Sequence, residues 1–136
     1  MNIFQRLFIK AEPVLSLEAA KAMYSLCSQA NEHLSKQNYE GMLEAQEDLI
    51  NLQKVAKKSG IKTLKVLANS AAFNIGEARK NLEGVIKHSS PGINFNSVPI
   101  AFRYGPDLQE SLQKLYSDWQ ALTKELERYG GKNGQN

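Results

Sequence analysis

Four stretches of the chain repeat apolar residues every three or four positions, the spacing that lines one face of an α-helix. The first runs from Ser16 to about Lys36. Leu17, Ala20, Tyr24, Cys27, Asn31 and Leu34 make its stripe, and Met23, Leu26 and Ala30 widen it. The second runs from Asn38 to about Lys58 on Met42, Ala45, Leu49, Leu52 and Ala56, flanked by Leu43 and Ile50. The third, from near Thr63 to about Lys87, carries Leu64, Ala68, Ala71, Ile75, Ala78, Leu82 and Val85. The fourth, from about Asp107 to Arg128, has the cleanest stripe: Leu108, Leu112, Leu115, Trp119, Leu122 and Leu126. Ser16 and Asn38 are placed to cap the first two helices, and Gly60 to stop the second. Residues 2–10 add a short amphipathic helix that must pack on something to persist.

The connections set the topology. Short links make helices one and two, and two and three, antiparallel neighbours. The segment from His88 to Pro106 holds Pro91, Pro99 and Pro106 with Gly92 and Gly105. Fully extended, its roughly 18 residues reach about 60 Å. That is longer than the third helix, so the fourth can run either way along it. Within the second helix, Asn38, Tyr39, Glu40, Gly41, Met42, Leu43, Glu44 and Ala45 resemble the start of the second helix of a tetratricopeptide-type hairpin. The likeness covers about 30 of the 136 residues and is not followed by a 34-residue repeat. It implies a shared helical-hairpin solution.

Composition agrees with helix: Leu and Ala supply 29 residues, Val and Ile only 13. The fold class expected is therefore all-α. It is a four-helix bundle of antiparallel hairpins, with a short N-terminal helix and a long proline-rich loop before the last helix. Residues 1–129 form a single helical-bundle domain, and residues 130–136 a flexible C-terminal tail. One cysteine excludes an internal disulfide. No run nears the roughly 20 apolar residues of a membrane span, and residues 1–10 are too short and broken for a signal peptide. A cytoplasmic protein is expected.

Candidate chemistry is sparse. His33 and His88 stand in no zinc or di-iron spacing, and Cys27 lies on an apolar stripe, so no metal and no cofactor is expected. Gly130, Gly131, Lys132, Asn133 and Gly134 follow a helix instead of opening one, so they are not a phosphate loop. Glu44 with Glu47, and Glu125 with Glu127, fall on polar helix faces, where general acid–base work has no cleft. No enzyme activity is expected. Two features stand above this background. Lys54, Lys57, Lys58, Lys62 and Lys65 surround the Ser59–Gly60 turn, with no acid between Leu49 and Gly76. They read either as solvated end caps or as a basic patch for an acidic partner or nucleic acid. The loop carries Ile93, Phe95, Val98, Ile100, Phe102 and Tyr104, more apolar surface than a free loop bears. It reads either as a strap on the core or as a partner-binding element. Ala68, Ala72 and Gly76, four apart, suggest a close helix crossing, within the chain or with a partner's helix.

These residues point to a non-catalytic protein–protein interaction module: a small adaptor, inhibitor or assembly subunit acting through the loop 89–106 and helical faces. Its partner is another protein, with a homo-oligomer possible. The alternative is a nucleic-acid-associated protein using the lysines at 54–65.

Overall fold

The computed structural model describes residues 15–89 and 106–132. The short N-terminal helix expected at 2–10 and the loop residues 90–105 lie outside these. The described residues form four α-helices and no β-strand: α1 (Leu17–Leu34), α2 (Tyr39–Ser59), α3 (Lys62–Ser89) and α4 (Pro106–Arg128). None is long and apolar enough to cross a membrane.

Five of the eight helix boundaries have a local chemical cause in caps and turns. Ser16 Oγ accepts from the Ala19 amide at 3.1 Å and starts α1. Asn38 Oδ1 accepts from the Gly41 amide at 2.8 Å and starts α2. Between these helices Gln37 takes a left-handed conformation, φ 54°, and its amide donates to the Leu34 carbonyl. Gly60, φ 72°, ends α2 with its amide on the Lys57 carbonyl. At the end of α4, Gly130 is left-handed. The Gly131 amide donates to Leu126 and the Gly130 amide to Glu127, the paired bonds of a Schellman cap. Gly131 is buried, and a Cβ there would stand 2.9 Å from the Ala20 carbonyl oxygen. Helix α4 therefore closes against α1 beyond the boundary expected at Tyr129.

Cross-helix contacts fix the directions. Gln53 bonds to Asn69, and Tyr39 to Glu83, so α2 and α3 run antiparallel. Ser70 reaches Asp118, while Asn81 shares a groove with Asp107, so α4 returns antiparallel to α3. Trp119 Nε1 donates to the Cys27 carbonyl at 2.8 Å, and Gly131 meets Ala20, so α4 also runs antiparallel to α1. The result is an up-down-up-down four-helix bundle with one continuous core.

The stripes expected on α2, α3 and α4 are largely the buried ones. In α1 the buried set is Ala20, Met23, Cys27, Ala30 and Leu34, one step round from the stripe through Leu17, Tyr24 and Asn31. Leu17, the first helical residue, is 51% exposed, and Asn31 faces water. On α3, Ala68 and Ala71 are buried, but Gly76 is not a tight crossing. A Cβ there would meet only the Gln46 side chain, at 3.7 Å.

Candidate functional site

The outer face of the α2–α3 hairpin gathers the features that the core does not use. At its end, Ser59 Oγ donates to the Ala56 carbonyl and accepts from the Ile61 amide, which holds the Gly60 turn tight. The five lysines converge around it: Lys54, Lys57, Lys58 and Lys62 are exposed and Lys65 is half-buried. None makes an ion pair among the described residues. Acids reach this end on α4, but Glu125 lies 3.2 Å from Arg128 and Glu127 lies 3.9 Å from Lys132. Helix α3 opens with no acid in its first turn. Its positive dipole end is thus lined with cations, against the usual preference, and this costs the helix a few tenths of a kcal/mol or more.

Along the same face lies an apolar patch. Phe73 is 65% exposed, Val66 55% and Ile50 39%. Register places them together. Gln46, Ile50 and Gln53 follow one another along one edge of α2, and Asn69 and Gly76 along the facing edge of α3. Gln53 Nε2 donates to Asn69 Oδ1 at 2.7 Å, and Gly76 stands opposite Gln46. Ile50 therefore stands level with Ala72 and Phe73, with Phe73 on the outermost line of α3 and Val66 two turns nearer the lysines on that same line. On its other side Phe73 walls an open groove of about 340 Å³ between α3 and α4, whose charged lining is Glu77, Asp107, Glu110 and Lys114.

The remaining polar clusters tie helices together. His33 Nδ1 lies 2.6 Å from Asp48 Oδ2, and Nε2 lies 3.1 Å from Glu44 Oε2, while Lys36 Nζ donates to Glu44 Oε1 at 2.8 Å. With both ring nitrogens turned to carboxylates, the imidazole presents no free nitrogen to a substrate. Burial pushes the Asp48 carboxyl up, and the contact with His33 pulls it back only in part. The Lys36 hydrogen bond holds Glu44 below the ordinary carboxylate value. Glu83 accepts from both Tyr39 Oη and Arg79 Nη1. Asp118 Oδ2 accepts from Ser70 Oγ at 2.7 Å and from Asn74 Nδ2 at 2.8 Å, joining α4 to α3. Cys27 is fully buried, and desolvation pushes its thiol up to about 12. No group of three His, Cys, Asp or Glu side chains among the described residues is placed to hold a metal ion.

Of the residues singled out in the sequence, the structure brings the five lysines to one turn. Ile93, Phe95, Val98, Ile100, Phe102 and Tyr104 lie outside the described residues. Sequence reading passed over Phe73 and Val66. Their signal was present: two large apolar residues seven apart, both off the stripe through Leu64, Ala68, Ala71 and Ile75. Comparison with protein-family models, with curated proteins and with solved structures finds no match for this chain.

Proposed function

We propose that the protein is a non-catalytic protein–protein interaction module, an adaptor, inhibitor or assembly subunit, that docks its partner on the outer face of the α2–α3 hairpin. The observation that carries this reading is Phe73. A phenylalanine about two-thirds exposed in the middle of a helix, with Val66 exposed two turns away on the same face and Ile50 level with it on α2, leaves apolar surface in water that a partner can cover. Buried aromatic anchors of this kind supply much of the affinity of protein interfaces. The test is affinity capture with the full chain and with Phe73→Asp, washed at high salt. A stoichiometric protein retained by the native chain and lost with Phe73→Asp, at unchanged thermal stability, supports the reading. Equal retention by both chains sinks it.

The unpaired lysines favour a second reading, sequence-independent association with nucleic acid. It requires binding that falls steeply with salt and is lost on charge reversal at Lys57, Lys58 and Lys62.

A further inference from the structure

We propose that the occupant of this face is an acidic amphipathic helix of a partner protein. The proposal rests on the docking reading above and adds the partner's chemistry. Apolar and basic surfaces are continuous here. Phe73, Ile50 and Val66 mark the way along the α2–α3 hairpin toward the Gly60 turn, with Lys54 between the levels of Phe73 and Val66, Lys65 and Lys57 next, and Lys58 and Lys62 at the turn itself. Phe73 stands eleven positions beyond Lys62 in α3, about 16 Å at the rise of an α-helix. A partner helix of about three turns laid along the hairpin spans both parts, its apolar side chains on Phe73 and its charges among the lysines.

Charge selects the sign of that helix. No acid occurs from Leu49 to Gly76, and none of the five lysines has an ion-pair partner among the described residues. At the Phe73 end the adjoining groove carries Glu77, Asp107 and Glu110, so the partner's acids belong over the lysines and its apolar side chains over Phe73. A neutral or basic helix would crowd these ammonium groups without compensation, whereas glutamates and aspartates would neutralise them. Lysine is a point charge on a flexible stem, so it accepts carboxylates over a range of positions and reads net charge more than a fixed motif. A single-stranded nucleic acid would match the lysines and could stack a base on Phe73, but it would leave Val66 and Ile50, which have no aromatic face, in water. That mismatch favours a protein over a nucleic acid.

The test uses the full chain and fluorescence anisotropy at about 50 mM salt. The probes are two labelled helical peptides of about 18 residues, both with leucines on the docking face of one half, and with glutamates in one peptide or lysines in the other on the same face of the second half. A single-stranded oligonucleotide of similar length is the third probe. The glutamate peptide should bind at least about tenfold more tightly than the other two. Phe73→Asp should weaken it by about tenfold or more, and the combined Lys57→Glu, Lys58→Glu and Lys62→Glu variant should do the same and flatten its salt dependence. All four substitutions are at exposed positions, and unchanged circular dichroism melting confirms that each variant folds. Equal binding of both peptides, sensitive to Phe73 but not to the lysines, overturns the acidic-partner proposal and leaves the docking reading standing. Preferred binding of the oligonucleotide, whether or not it depends on Phe73, overturns both. A sedimentation mass that rises with concentration and falls to monomer on Phe73→Asp makes the occupant a second copy and also overturns the proposal.

Discussion

At the scale of single residues, the glycines separate tight positions from open ones. At Gly41 an added Cβ would stand 2.3 Å from the His33 carbonyl oxygen, a backbone atom that cannot swing aside. Here the start of α2 leans directly on the end of α1. Gly41→Ala should therefore lower stability by roughly 2 kcal/mol despite its better helix propensity. Gly84, in the last third of α3, has nothing within 4 Å of the same added atom. Gly84→Ala should raise stability by roughly 1 kcal/mol, because only the propensity gain remains. Denaturant melts of the two variants check both signs, and a stabilised Gly41→Ala would show that the α1–α2 approach is loose. Nothing local in the sequence distinguishes Gly41 from any other glycine. The difference depends on a carbonyl eight residues away, across a turn. Caps are different: Ser16, Asn38 and Gly60 bond to amides or carbonyls within three residues, so they were readable.

At the scale of elements, hairpins are joined by charged ties whose partners are far apart in sequence. Glu83 on α3 receives Tyr39 from α2 and Arg79 from its own helix. Burial, the largest single influence, pushes its carboxyl up, but these two bonds together with the charges of Arg79 and Lys87 hold it below the ordinary value. A carboxyl depressed on folding adds stability above its unfolded pKa, about 4.3, and that stability fades as pH falls through the lower folded value. Glu83→Gln removes the ionised acceptor at every pH. The stability gap between native protein and variant should thus be full above about pH 5 and close toward pH 3. Thermal melts across that range test it, and a gap that widens toward acid would mean Glu83 is not held in its charged form. Asp48 acts in the opposite sense. Its raised carboxyl weakens the fold as pH rises through its folded value, so Asp48→Asn should relieve part of that cost while giving up the contact with His33. Helix periodicity located His33, Glu44 and Glu83 on their helices. It could not pair them, because the pairing follows from helix register across a turn.

At the scale of the whole molecule, the direction of α4 and the closing of α1 against it were open in the sequence, since the long loop permits either direction. Contacts at two levels decide it: Asp118 bonds to Ser70 on α3 while Asp107 shares a groove with Asn81, and Trp119 donates to the Cys27 carbonyl on α1 while Gly131 closes on Ala20. Trp119 and the Gly131 cap are thus what lock the first helix to the last. Cys27 reports on that closure. It is fully buried and its thiol is pushed up to about 12, so both access and thiolate are denied to a disulfide reagent. Native protein at pH 8 should label more slowly than unfolded chain by several orders of magnitude, at the rate set by opening of the bundle. Trp119→Phe removes the donor to α1 while keeping most of the packing. A loss of about 1 kcal/mol in that seam raises the open population about fivefold, and the labelling rate with it. The comparison that matters is with global stability from denaturant melts. If labelling accelerates more than the global loss accounts for, α1 and α4 part before the rest unfolds. If the two change together, Cys27 is exposed only by complete unfolding, and the bundle opens as one cooperative unit.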